Sequence, residues 1–218
     1  TDAFINKKPK NIIVIEKDKK LSNLLSMKYK NKIKIINDDF LRLDLNKIKL
    51  DNLIIFGNLP YNISTQILTK LIKDQDKKIN FKKMVLMFQK EVADRITAKF
   101  DTKNYGRLSV ISQLKFNITK VKDISPNSFY PIPKVNSALL KFELKNKFFS
   151  IKEIKNLEHV TNIFFNLRRK MIKKPLKLLF KDPEPVIKKL KLNIEDRPQK
   201  LENSIFYRIC EEYEKLID

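Results

Sequence analysis

Hydrophobic positions change their spacing along the chain. Up to about residue 144, short apolar or β-branched runs alternate with stretches of helical period, and beyond about residue 147 only the helical period remains. The runs at 11–15, 33–36, 53–56 and 84–88 are four or five residues long and are closed by Gly, Asn, Gln or charged residues. That length and punctuation predicts buried strands rather than helices. Residues 117–124 and 137–144 alternate apolar and polar positions, as strands of an antiparallel hairpin do. Between the strands, residues 1–5 read as part of a helix. Asp18 caps another with Leu21, Leu24, Leu25 and Met27 as its apolar face, and Ser64 offers an N-cap to residues 64–75, with Ile67, Leu68, Leu71 and Ile72 inward. Residues 90–97 are helical, and 105–116 turn into a helix through Leu108, Ile111, Leu114 and Phe116. Strand, helix and strand at this spacing predict right-handed βαβ units and a parallel sheet. The expected organisation is an α/β domain over 1–146 and a small all-helical domain over 147–218. The latter's helices fall at 151–165, 168–180, 184–190 and 203–217, with a kink or break at Pro175.

One stretch organises the rest. The run 53–56 ends at Gly57 and is followed at once by Asn58-Leu59-Pro60-Tyr61. Pro60 has a fixed φ and biases Leu59 toward an extended conformation, so the chain bends stiffly after the strand. The bend carries an amide, a carbonyl and an aromatic face. An exocyclic aromatic amine is a poor nucleophile, because its lone pair is delocalised into the ring. Two acceptors aimed at its N–H bonds would hold the nitrogen as it becomes tetrahedral, and an aromatic ring would stack on the base. Positioning and electrostatics are then sufficient, without a strong general base. Taken alone, Asn-x-Pro-Tyr reads equally as a strand-end turn with a packed tyrosine.

Charge sharpens the choice of partner. The 218 residues carry a formal charge of +22 with 42% hydrophobic content, enough for a core and far more basic than solubility requires. The expected partner is a nucleic acid rather than a membrane, since no stretch of eighteen apolar residues occurs. The excess of Lys also matches a composition rich in Lys, Asn and Ile throughout. The single cysteine, Cys210, rules out an internal disulfide and lies in a helical apolar pattern, as a core thiol would. The single histidine, His159, has no second His or Cys to join it as a metal ligand, and no metal site is expected. Without a visible secretory signal, the expected location is the cytoplasm.

The string Gly57-Asn58-Leu59-Pro60-Tyr61-Asn62-Ile63-Ser64 resembles motif IV of the adenine-N6 methyltransferases, and in particular the KsgA-type ribosomal RNA adenine dimethyltransferases. Further strings of that family follow in order: Met87-Phe88-Gln89-Lys90-Glu91-Val92, Tyr105-Gly106-Arg107-Leu108-Ser109-Val110, and Phe129-Tyr130-Pro131-Ile132-Pro133-Lys134-Val135. Arg168-Arg169-Lys170 resembles its basic C-terminal helix. The resemblance spans nearly the whole chain and implies a Rossmann-like class I methyltransferase sheet followed by a small all-α domain.

By that resemblance, Asn58, Leu59, Pro60 and Tyr61 form the catalytic bend, and Phe129 faces Tyr61 across the target base, with neighbouring Tyr130 as the alternative. S-adenosylmethionine is the implied cofactor. Glu16, at the end of the first strand, accepts from ribose hydroxyls, although a solvated loop charge would look the same; Lys17 stands beside it. Asp39 accepts from the adenine amino group, with Asp38 as the register alternative. Phe40 lies beside the ring, and Asn58 closes the set. Arg107, Lys134, Arg168, Arg169, Lys170 and Lys173 are the implied RNA contacts, the last four on one dense basic helix. The implied substrate is small-subunit rRNA, dimethylated on adjacent adenosines near its 3′ end, by a monomer that needs neither membrane nor DNA.

One departure stands out. The family carries a Gly-rich loop after its first strand, whereas Gly57 and Gly106 are the two glycines here and neither sits in such a loop. Either the first strand and its loop precede Thr1, which is the expectation, or the cofactor is poorly held. Two other readings compete: an Erm-type 23S rRNA adenine methyltransferase, and a non-catalytic rRNA-binding assembly factor of the same fold.

Overall fold

A computed structural model describes residues 1–45, 48, 52–74 and 81–217, so the predicted helix end at residue 75 lies outside them. The chain divides into two compact units, Thr1–Lys49 and Leu50–Asp218.

The first unit opens with a short helix α1 (Asp2–Ile5) and contains one βαβ motif. Strands β1 (Ile13–Glu16) and β2 (Lys34–Asn37) pair in parallel, with Glu16 opposite Asn37, and α2 (Lys19–Tyr29) connects them. Asp18 caps α2 as its sequence predicts, accepting from the amides of Lys20 at 2.7 Å and Leu21 at 3.0 Å. The buried face of α2 differs from the predicted one. Ser22 and Tyr29 are buried and Leu25 half-buried, whereas Leu21, Leu24 and Met27 are 50%, 60% and 73% exposed. Two four-residue strands accommodate only a narrow stripe of helix. The row at i, i+3 and i+7 ending in the large Tyr29 ring occupies it.

The second unit is built on a four-stranded sheet of order β3-β4-β6-β5. Strand β3 (Leu53–Asn58) runs parallel to β4 (Phe81–Gln89), with α3 (Ser64–Asp74) following β3. Strands β5 (Phe116–Ile124) and β6 (Ser137–Leu144) form the predicted antiparallel hairpin, β6 also pairing with β4. The α3 face of Ile67, Leu68, Leu71 and Ile72 is buried as predicted. Beneath the sheet, Phe81 stacks on Phe116 at 6.2 Å between ring centroids, and Phe142 meets Phe116 edge-on at 6.1 Å. Strand β3 is a strand as predicted, but it is not fully buried. Among the described residues it pairs with β4 alone, and Ile54 and Phe56, alternate residues on one face, are about half exposed, at 56% and 50%.

Helices α4 (Lys90–Ile96) and α5 (Arg107–Ser112) follow the sheet's logic. The latter stops short of residue 116, because the Gln113 side chain donates to the carbonyls of Ile96 and Ala98 and Phe116 begins β5. Four helices complete the second unit: α6 (Ile154–Asn166), α7 (Lys173–Leu179), α8 (Glu184–Leu190) and α9 (Asn203–Glu214). The predicted helix at 168–180 begins only at Lys173. Arg168, Arg169 and Lys170 therefore lie in the turn between α6 and α7, not on a helix. Pro175 is buried in the first turn of α7, where its missing N–H costs nothing, so it starts a helix rather than kinking one.

Buried polar contacts tie these helices down. The Tyr105 hydroxyl lies 2.9 Å from the Leu201 carbonyl and 2.7 Å from Asn203 Oδ1, and Tyr207 donates to the Val110 carbonyl at 2.8 Å. Burial pushes both phenols above their ordinary range. Cys210 is buried on α9, and burial raises its thiol too. His159 is exposed, and no group of potential metal ligands occurs among the described residues. None of the described helices is long and apolar enough to cross a membrane.

Glu214, at the end of α9, is 2% exposed and accepts from the amides of Lys152 and Glu153 and from Asn156 Nδ2 at 2.8 Å. It thus satisfies donors at the start of α6, where a negative charge is also favoured by the helix dipole. Glu214→Ala should cost about 3 kcal/mol by removing the acceptor from the buried Asn156 amide and two part-buried backbone amides. Urea unfolding of the complete protein measures this.

Candidate active site

The predicted bend is built by close packing at the end of β3. A Cβ on Gly57 would sit 2.7 Å from Leu59 Cδ2 and 2.9 Å from Leu86 Cδ2. The Leu59 side chain thus folds back over the strand into space that only glycine leaves, and this fixes the following backbone. Asn58 is exposed, and among the described residues nothing hydrogen-bonds to its side-chain amide. The Leu59 carbonyl likewise receives no hydrogen bond there, whereas the next two carbonyls do. Ile63 N donates to Pro60 O at 3.2 Å, and Ser64 Oγ to Tyr61 O at 3.0 Å. Ser64 is therefore not the predicted N-cap acceptor. It is buried and donates backward, onto the residue whose ring matters.

Tyr61 is held at its other end as well. Its hydroxyl lies 2.6 Å from Ser137 Oγ, and Ser137 is completely buried. A half-buried ring is thereby fixed by a carbonyl contact and a phenol contact. Sequence reasoning missed Ser137. It lies two residues beyond the Phe129–Val135 string, but only strand register brings it to the end of the sheet where β3 finishes.

That register also places the second predicted aromatic. Gln89 on β4 and Ile124 on β5 both lie opposite Ser137, and Asn58 is opposite Met87. The loop 125–136 between β5 and β6 thus springs from the same end of the sheet as the bend. A short turn at Pro126–Ser128, started by Ser125, and a bond from Lys90 N to Asn136 O at 2.9 Å anchor its two ends. Phe129 is half-buried with extended backbone (φ −126°, ψ 152°), while Tyr130 is 99% exposed. Lys134 is exposed on the same loop.

The predicted cofactor residues other than Asn58 lie in the first unit. Glu16 ends β1 half-buried. One carboxylate oxygen accepts from Asp18 N at 2.8 Å, and the other is unengaged among the described residues. Asn37, opposite it, donates to the carbonyls of Glu16 and Lys17 and fixes this strand end. Asp39 pairs with Lys17 Nζ at 2.8 Å and accepts from Leu41 N at 3.0 Å. The Lys17 hydrogen bond first, and the Leu41 amide second, hold its carboxyl below the usual range. Asp38 is exposed and accepts from the Asp39 amide. Phe40 is half-buried beside them. Acidic side chains at two adjacent strand ends suit the hydroxyls and amine of a nucleoside.

The predicted cations separate into two kinds. Arg107, Arg169, Lys170 and Lys173 are exposed. Arg168 is committed within the chain: it donates to Gln199 Oε1 at 3.1 Å and to the carbonyls of Thr102 at 3.3 Å and Lys103 at 2.8 Å. It fastens the loop before α5 to the turn after α6.

Parallel βαβ units, a closing antiparallel hairpin and an amide-bearing bend at the end of a parallel strand are the features of a Rossmann-like methyltransferase. The chain belongs to the ribosomal RNA adenine dimethylase family, whose profile matches residues 1–215. It is 48% identical over 216 residues to the ribosomal RNA small subunit methyltransferase A of Pelagibacter ubique (strain HTCC1062), covering 99% of this chain and 82% of that protein. The crystal structure of a dimethyladenosine transferase from Plasmodium falciparum superposes with a TM-score of 0.80 at 25% identity, over 98% of this chain and 86% of that one. The 23S rRNA methyltransferase ErmE shares the fold, with a TM-score of 0.64 at 19% identity over 94% of this chain and 82% of its own.

Two substitutions test how the bend is held. Gly57→Ala should cost about 1–3 kcal/mol by overpacking against Leu59 and Leu86. Tyr61→Phe should cost about 1 kcal/mol through the lost Ser137 contact. Denaturant titration reads both, and a double mutant with Ser137→Ala should show the second to be non-additive.

Proposed function

We propose that this chain is an S-adenosylmethionine-dependent enzyme that dimethylates N6 of adjacent adenosines near the 3′ end of small-subunit rRNA. It would act as a cytoplasmic monomer during subunit assembly. The observation that carries this reading is the contrast at the bend: the Asn58 amide and Leu59 carbonyl have no partner among the described residues, while Tyr61 is held at both ends.

The target base, once out of its stack, lies between the faces of Tyr61 and Phe129. Unstacking costs a few kcal/mol. Each aromatic face contributes roughly 1–3 kcal/mol, so two faces offset the cost where one would not. Asn58 Oδ1 and the Leu59 carbonyl accept from the two N6–H bonds. They localise the lone pair on nitrogen and turn it toward the electrophile. The alkylated nitrogen is acidic and releases its proton to water, so no side chain in the bend need act as a base. Glu16 would hold the cofactor ribose, Asp39 its adenine amino group and Phe40 its ring, with Lys17 keeping Asp39 ionised. When bound, S-adenosylmethionine supplies an electrophilic sulfonium methyl.

Phosphate contacts fall to Arg107, Lys134, Arg169, Lys170 and Lys173, all exposed. Arg168 instead positions the loop before α5.

The complete protein should transfer labelled methyl groups to 30S particles from cells lacking the modification, and not to protein-free 23S rRNA. The reverse preference would overturn the assignment, and no S-adenosylmethionine binding by calorimetry would indicate an assembly factor. Asn58→Ala should lower turnover by about 10²–10³-fold while leaving RNA affinity unchanged. Replacing Arg169, Lys170 and Lys173 together by Ala should flatten the plot of log K against log salt by about two units. A wild-type slope in that variant would exclude these cations as phosphate contacts.

A further inference from the structure

Tyr130 is the described aromatic most fully given up to solvent, at 99% exposure. An isolated exposed apolar residue is ordinary, but this one is not isolated. Ile132 and Val135, at 65% and 42% exposure, share its loop with Lys134, and Pro126, Pro131 and Pro133 stiffen it. The loop is also tied at both ends, by the Ser125 turn and by the Lys90–Asn136 bond. Little conformational entropy is therefore left to lose on docking.

The backbone at Phe129 is extended, so consecutive side chains leave it on opposite sides. Phe129 is half-buried, whereas Tyr130 is almost wholly exposed. The two neighbouring aromatics are thus divided between two places and do not compete for one.

Resting on the proposed base-extruding site, we infer that Tyr130, backed by Ile132, is a wedge that enters the RNA stack and fills the gap left by the extruded adenine. Extrusion leaves the flanking bases apart, and the base returns unless something takes its place. An apolar or aromatic side chain inserted between steps, with a neighbouring cation for the phosphate, is the chemistry that props such a gap open. Tyr130 and Lys134 supply these two components on one rigid loop. Tyr130 is a positioning residue: it touches the RNA beside the target, not the reacting nitrogen.

The test uses the complete protein and a small-subunit rRNA 3′ hairpin in which 2-aminopurine replaces the target adenine, its fluorescence rising on unstacking. Wild type should give a strong rise at saturation. Tyr130→Ala should reduce that rise about tenfold, in line with loss of one stacking face, and weaken RNA binding by no more than about the same factor. Tyr130→Phe and Tyr130→Trp should restore it. Methylation by Tyr130→Ala should recover on an RNA whose target adenine is already unpaired and unstacked. A wild-type rise in Tyr130→Ala overturns the wedge and leaves the base slot standing. No rise in wild type itself removes both. A rise lost in Tyr130→Ala but not restored by Phe or Trp also overturns it, because stacking would then not be the cause.

Discussion

The hydrogen bond between Tyr61 and Ser137 is the contact on which the second unit's arrangement turns. One partner follows a parallel strand and the other begins an antiparallel one, 76 positions later. It joins the βαβ motif to the hairpin at one end of the sheet, and it sets the Tyr61 ring beside the root of the 125–136 loop. Without it, the ring would be free to rotate about its side-chain torsions and the proposed base slot would lose one fixed wall. Because Ser137 is wholly buried, the phenol also relieves a group that would be costly to leave unpaired.

A division of labour follows. Side chains that fix geometry are consumed within the chain: Ser64 on the Tyr61 carbonyl, Arg168 on the loop before α5, Glu214 on the start of α6, Tyr105 and Tyr207 between the helices and α5. Among the described residues, the amide proposed to meet the amine and the cations proposed to meet phosphate are left without side-chain partners. Asn58 is the clearest case, since a protein-internal role would have given its amide something to bond. A site whose chemistry is positioning rather than proton transfer is expected to look like this, with rigid supports and open acceptors.

Much of this was legible in the sequence. Each strand among the described residues falls on a predicted run, because short apolar or alternating runs between polar stops have few other solutions. The bend after β3 was found because proline and glycine dictate backbone locally. What escaped depended on tertiary context. The α2 stripe of Leu21, Leu24 and Met27 looked like a core face by periodicity, yet a narrow sheet chose the row ending in Tyr29. The 168–180 segment looked like one basic helix until Pro175 took a first-turn position. Arg168 then proved to be a structural clamp, and composition cannot distinguish it from its exposed neighbour Arg169. Ser137 was invisible because its partner is distant and only strand register unites them.

The central claim is that a purine lies between the Tyr61 and Phe129 rings with its amino nitrogen on Asn58 and the Leu59 carbonyl. A crystal structure of the complete protein with the rRNA hairpin and S-adenosylhomocysteine tests it directly. The account predicts N6 within about 3 Å of both oxygens, with the base out of its stack. An adenine still stacked in the RNA, or bound with N6 turned away from Asn58, would contradict it.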